Sequence, residues 1–150
     1  MAGLSDNTKQ LFLNRFEKVA PDATPLWGKL RGAQMIDHCN SVVLYTLGET
    51  PLLPFRGTFM FQYIAAPLLL TGVMKFPKNV PLPRTKNVSP PEPRDCELAV
   101  LQATIDRLLV EVRAGSFSPP HHPYFGNIGG KKWLKFHALH FDHHLRQFGV

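Results

Sequence analysis

The segment 130–148 constrains the fold most, because its residues follow a single helical face. Four histidines fall within eight positions of this segment, at 137, 140, 143 and 144. At about 100° per residue, the positions within about 60° of His140 are Trp133, Phe136, His137, His144 and Gln147. Lys135, Asp142 and Arg146 fall on the opposite side. The pattern predicts an amphipathic helix that points His140 and His144 into the core, with His143 at the border and Asp142 as a solvated charge.

Two imidazoles that point into a core need a partner for each ring nitrogen. Histidines four apart on a helix bring their rings to one point, as in zinc helices of the HxxxH type. His38 is predicted to complete such a site, because it lies between Met35 and Val42 in an inward stripe of another helix. The sequence thus favours one divalent metal ion held by His38, His140 and His144. The alternative is a set of core histidines bonded to hydroxyl or carbonyl groups.

Apolar residues recur at helical spacing in four earlier segments as well. The predicted helices cover residues 5–19, 32–47, 57–73, 95–114 and 130–148, and Pro67 is expected to kink the third. A stretch with six prolines, residues 77–93, predicts a long extended connection. No segment alternates as a strand would. We therefore predict an all-α bundle of four or five helices, in a single domain spanning residues 1–150.

Composition and charge narrow the function classes. The chain has 150 residues, 44% hydrophobic and 19% charged, with a net charge of +6. This charge favours anionic partners, but no dense Lys/Arg stripe appears, so no nucleic-acid partner is expected. Cys39 and Cys96 form no CxxC pair, and the start of the chain lacks signal-peptide features, so we expect a cytoplasmic protein. Residues 57–74 carry no charge, yet Gln62 and Pro67 favour a buried or docking helix over a membrane span.

Two motifs carry a resemblance to a known superfamily. The run from His140 to Gln147 has the form HxxHHxxQ, and the run from Trp27 to His38 ends in a histidine. Both resemble signatures of the DinB-like superfamily, four-helix bundles related to YfiT-type metalloproteins. The segment His122-Pro123-Tyr124-Phe125-Gly126, followed by the Trp133 helix, is similar to a branch of unknown function.

The resemblance implies that His38, His140 and His144 occupy three ligand positions for zinc or nickel. Members of the superfamily with known roles use the metal to activate a small thiol. His137 is an additional inward histidine that could be a fourth ligand, an acid/base group behind the ligands, or a structural residue. Gln147 could orient a ligand or substrate, or could serve only in helix packing. His121 and His122 could cap the pocket, but the favoured interpretation is that they are loop histidines packed on Tyr124.

The predicted function is metal-dependent chemistry of the thiol S-transferase type on a small electrophile, with a low-molecular-weight thiol as partner. Three neutral ligands leave the ion its full charge and an open position, which suits this role. A metal-dependent hydrolase and a non-catalytic module, metal-binding or apo, are the alternatives that stay open. Exposed apolar surface on the third helix suggests a homodimer.

Overall fold

Helices account for the regular structure of the described chain. The computed structural model describes residues 2–50, 57–78 and 94–150. Its α-helices are α1 (Asp6–Phe16), α2 (Gly32–Thr46), α3 (Ala66–Thr71), α4 (Leu98–Ala114) and α5 (Gly129–Gln147). The described residues form no strand, and one isolated bridge joins His122 to Gly126. The predicted all-α class is confirmed.

Local signals set the ends of α1 and α4. Ser5 caps α1: its Oγ accepts the N–H of Thr8 at 3.3 Å, and Thr8 Oγ1 accepts the N–H of Ser5 at 2.9 Å. The helix ends at Phe16, three residues earlier than predicted, although Val19 is still buried. The start of α4 lies three residues later than predicted, and the helix ends at Gly115, whose φ of 73° suits a glycine.

The four longest helices share one apolar core. Its buried residues come from α1 and its flanks (Leu4, Phe12, Phe16, Val19), α2 (Met35, Ile36, Cys39, Val43), α4 (Leu101, Ile105, Leu108, Leu109) and α5 (Ala138, Phe141, Leu145). A second cluster joins the ends of α2 and α5 to α3 and the loop before α5, through Tyr45, Ala66, Leu69, Leu70, Phe125, Trp133 and Phe136. Along α5 the histidines at 137, 140, 143 and 144 alternate with the core residues Ala138, Phe141 and Leu145.

The inward stripe predicted for α2 is only partly correct. Met35 is buried as predicted, but the core side of the helix continues through Ile36, Cys39 and Val43, one position away from the predicted row. His38 and Val42 are half-buried. This difference arises because α2 contacts both α4 and α5, so two of its sides are covered.

Asp142 is also more enclosed than the sequence suggested. Its side chain is 16% exposed and forms ion pairs with Arg15 at 3.0 Å and Arg146 at 2.9 Å. The prediction of a solvated charge is therefore wrong, because α1 packs on this side of α5 and supplies Arg15.

The predicted third helix is interrupted but continuous in direction. A π-helical turn, Phe61–Ala65, precedes α3, and Pro67 lies in the first turn of α3. Proline has no N–H for the helical ladder, and the departure from α-helical bonding lies directly before it, where the N–H of Ala66 bonds to the carbonyl of Phe61. Most of the proline-rich connection predicted for residues 77–93 lies outside the described residues. Within the described ranges, no helix has the length and apolarity needed to cross a membrane.

Candidate metal centre

Three histidine side chains converge between α2 and α5. Nε2 of His140 lies 3.1 Å from Nε2 of His38 and 2.9 Å from Nε2 of His144. One ligand atom from each of the three residues lies within 4.8 Å of the others, and the described residues add no carboxylate or thiol to this group. The helical phase of α5 brings His140 and His144 together, and the packing of α2 on α5 adds His38.

The spacing of these nitrogens is close to that of a first coordination sphere. Zinc–nitrogen bonds of about 2.0–2.1 Å in tetrahedral geometry separate neighbouring nitrogens by about 3.3–3.4 Å. The two Nε2 separations that involve His140 are shorter than this by only a few tenths of an ångström. The three residues can therefore hold one metal ion after small movements of their rings.

The position of the proton on His144 is fixed by its neighbour. Nδ1 of His144 lies 2.7 Å from Oε1 of Gln147, and Nε2 of Gln147 donates to the carbonyl of Trp27 at 3.4 Å. Because Oε1 only accepts, Nδ1 of His144 carries the proton and its Nε2 presents a lone pair. Outer partners of this kind are typical of metal-binding histidines, since they fix the tautomer and orient the ring.

His140 has the most constrained ring of the three. Its Nε2 faces the other two Nε2 atoms, and its Nδ1 is buried with no hydrogen-bond partner among the described residues. A neutral imidazole has one proton, so Nε2 of His140 cannot form good hydrogen bonds with both neighbours. A cation at the meeting point of the three nitrogens would use all three lone pairs. Phe136 stacks on the opposite side of His140, with ring centroids 5.3 Å apart.

Burial and mutual repulsion keep these histidines neutral. Burial, followed by the charge of His143, lowers the pKa of His38 to about 4. Burial also lowers the pKa values of His140 and His144 well below the usual value, with further lowering by neighbouring histidines. Neutral imidazole is the form that binds metal, so the site does not need to lose protons at neutral pH.

The cluster has one edge near the surface. His38 is half-buried, while His140 and His144 are each 9% exposed. Beside this edge lie His143, whose ring is 5.2 Å from that of His144, and Trp27, whose ring is 6.3 Å from that of His143.

A family model for proteins of unknown function, DUF1569, matches residues 12–149 of the chain. The chain belongs to the DUF1569 family. The match includes all three converging histidines. No curated protein and no solved structure matches the chain.

His137 takes a separate place in this DUF1569 protein. It is fully buried, and its Nε2 lies 3.0 Å from Oγ1 of Thr46. Thr46 donates its own proton to the carbonyl of Val42 at 2.9 Å, so Nε2 of His137 is the donor to Thr46. The ring of His137 therefore contacts α2 through Thr46, and His137 lies about one helical turn before His140 in α5. Sequence reasoning could not distinguish this role, because Thr46 becomes a neighbour only when α2 packs on α5.

His122 holds a turn in the loop before α5 and does not join the cluster. Its Nδ1 accepts the backbone N–H groups of Tyr124 at 3.2 Å and Phe125 at 3.1 Å. Its ring stacks on Phe125, with centroids 4.1 Å apart, and is only 8% exposed. The hypothesis that His122 caps a metal pocket is not supported by these contacts. The sequence places His122 two residues before Tyr124 and three before Phe125, whose backbone N–H groups it accepts. This spacing was the signal in the sequence that could have predicted the turn.

We expect His122 to make the apo protein less stable in acid. Burial, followed by the charge of His121, lowers the pKa of His122 to about 3. An unfolded histidine has a pKa of about 6.5, so between these values the unfolded chain binds a proton that the folded chain does not. The contribution of His122 to the free energy of unfolding is therefore fully present above about pH 6.5. It falls by up to about 1.4 kcal/mol per pH unit as the pH drops toward 3.

The measurement is urea unfolding with a chelator present, at about pH 7 and about pH 4.5, for the wild type and His122→Asn. Asparagine can still accept both backbone N–H groups but does not titrate. The variant should lose less stability between the two pH values than the wild type. The same loss in both proteins would contradict the assignment to His122.

Proposed function

We propose that this DUF1569 protein binds one divalent metal ion, zinc or nickel, through Nε2 of His38, His140 and His144, and that it is an enzyme. The observation that carries the proposal is the convergence on one point of three neutral histidines, of which His140 and His144 are buried and His38 is half-buried. Gln147 supports it, because its contact with His144 is the outer partner that a metal-binding histidine usually has. The proposal includes a DinB-like four-helix bundle of α1, α2, α4 and α5.

The ligand set determines what chemistry the site favours. When bound, a divalent ion with three neutral ligands supplies a Lewis acid that lowers the pKa of a thiol or water at its open position. The chain contributes orientation: Gln147 fixes the ring of His144, and Phe136 covers one side of His140. His38 is the most exposed of the three histidines.

The reaction we propose is thiol S-transfer to a small electrophile. The thiol releases its proton to solvent, its sulphur forms a bond to an electrophilic carbon, and the bond from that carbon to the leaving group breaks, with its electron pair departing on the leaving group. Three uncharged histidines would leave the full positive charge of a bound ion available to stabilise a thiolate. The likeness of the HxxHHxxQ run to DinB-like thiol transferases gives the same reaction class.

A thiol titration of the cobalt-substituted protein tests this function. Untagged protein is first analysed for bound metal, and we expect one divalent ion per chain. After replacement by cobalt(II), 2-mercaptoethanol should produce a sulphur-to-cobalt charge-transfer band, whereas 1,2-ethanediol, the matched control, should not. Absence of any retained metal would refute the metal site. Retained cobalt without a thiol-dependent band would refute thiol chemistry and favour the hydrolase or the non-catalytic module.

A further inference from the structure

One face of the helical segment 59–71 is apolar and exposed. Large apolar side chains with 44–76% of their surface accessible cover it: Phe59 (76%), Met60 (64%), Tyr63 (61%), Ile64 (51%) and Leu68 (44%). Val73 (80%) and Met74 (39%) extend this surface beyond the end of α3. A continuous apolar face of this kind usually marks an interaction site. We call it the 59–74 face.

The opposite side of the same segment is anchored to the rest of the protein. Ala66, Leu69 and Leu70 are buried in the second apolar cluster, with Trp133 and Phe136 of α5. Phe61 stacks on Phe125 with ring centroids 5.6 Å apart. The segment therefore has a fixed inner side, and the 59–74 face is its outer side.

Charge indicates which partner this face suits. From residue 50 to residue 91 the sequence has no aspartate or glutamate and five basic residues: Arg56, Lys75, Lys78, Arg84 and Lys86. Of the described residues among these, Lys75 and Lys78 are exposed directly after the 59–74 face. The whole chain has a net charge of +6. An apolar face with aromatic residues and a basic border fits an anionic surface.

A second copy of the chain fits this face less well. A two-fold contact pairs the same face of both copies, so each copy would bring Lys75 and Lys78 to the border of that contact. No carboxylate in residues 50–91 is available to neutralise them. Phospholipid headgroups supply the negative charge that such a contact lacks, and the acyl region receives the aromatic and aliphatic side chains.

We propose that the 59–74 face docks this protein on the surface of an anionic membrane. The segment lies in the interface, with Phe59, Tyr63 and Ile64 entering the headgroup and acyl boundary, and Lys75 contacting the lipid phosphates. The proposal does not depend on a bound metal.

Vesicle co-sedimentation of the full chain tests this docking. The probes are vesicles of phosphatidylcholine alone and of an equal mixture of phosphatidylcholine and phosphatidylglycerol. The double variant Phe59→Ser/Ile64→Ser removes two exposed apolar groups from the face. Leu11→Ser/Val110→Ser is its matched control, because Leu11 and Val110 are 65% and 54% exposed on α1 and α4.

We expect the wild type and the control to bind the mixed vesicles at least about tenfold more tightly than phosphatidylcholine, with weaker binding in high salt. Phe59→Ser/Ile64→Ser should weaken binding by about tenfold or more. Lys75→Gln should weaken it about fivefold, and Lys131→Gln, on the exposed start of α5, should have less effect.

Three results would overturn the proposal. The first is no binding of the wild type to the mixed vesicles, and the second is equal loss of binding in the two double variants. The third is a wild-type dimer in light scattering that Phe59→Ser/Ile64→Ser converts to a monomer without vesicle binding by either protein. That last result would assign the 59–74 face to a second copy of the chain.

Discussion

His140→Ala is expected to abolish metal retention, whereas His143→Ala is expected to leave it nearly unchanged. His140 is central to the cluster, since its Nε2 lies within 3.1 Å of the corresponding atoms of both His38 and His144. Its loss leaves two ligands on different helices, and we expect affinity to fall more than the 10–100-fold typical of losing an outer partner. His143 is half-buried at the edge and is absent from the converging group.

The same pair of variants gives a stability readout. A metal present at about 100 times its dissociation constant stabilises the folded state by about 2.7 kcal/mol, which corresponds to roughly 5–10 °C in melting temperature for a chain of this size. The wild type and His143→Ala should show this shift on addition of zinc, and His140→Ala should not. An equal shift in all three proteins would contradict the proposed ligand set, provided that circular dichroism shows each variant to be folded.

Gln147 provides a graded comparison for this experiment. Gln147→Leu removes the acceptor of His144 Nδ1–H without removing a ligand, so its metal affinity should fall by about 10–100-fold. Gln147→Glu keeps an acceptor at this position and should retain most of the affinity. An affinity order of wild type, Gln147→Glu, Gln147→Leu and His140→Ala would agree with an outer role for Gln147.

Phe141→Ala is expected to cause a large loss of stability. Phe141 is fully buried, and its ring packs edge-on against Phe12 at 5.7 Å and Phe16 at 5.6 Å between centroids. Removing a buried phenyl ring costs about 3–5 kcal/mol, because apolar contact is lost and a cavity remains. For a chain of this size the melting temperature should fall by roughly 6–20 °C.

Leu11→Ala is the control for this change. Leu11 lies on α1 beside Phe12 but is 65% exposed, so its replacement should alter stability by less than about 0.5 kcal/mol. Urea unfolding with a chelator present compares the two variants without a contribution from metal. A loss below about 1.5 kcal/mol for Phe141→Ala would contradict its place in the shared core.

The helices of this protein could be predicted from sequence because the determining signals are local. Apolar spacing gave α2, α4 and α5 to within three residues, and Ser5 marked the start of α1. Residues 57–73 were predicted as one kinked helix, but the described segment passes through a π-helical turn before α3. Apolar spacing does not distinguish the i→i+5 bonding of a π-helical turn from the bonding of an α-helix.

One part of the candidate site could also be predicted from the sequence, and the other part depends on how the helices pack. His140 and His144 share a face because four residues make slightly more than one helical turn, and this relation follows from the sequence of α5 alone. His38 was less determined, because its direction depends on the rotation of α2. The structure places it beside the other two, although the core row of α2 runs through Ile36, Cys39 and Val43.

The sequence by itself determined the all-α class and the common face of the α5 histidines, and the tertiary structure decided which of them meet. His137 shares that face within α5, yet it bonds to Thr46, and His140 instead meets His38. Asp142 was expected to lie in solvent, but α1 packs on α5 and places Arg15 within ion-pair distance of it. The physical reason is that helical phase is fixed by residues a few positions apart, whereas partners across helices depend on the rotation and docking of whole elements.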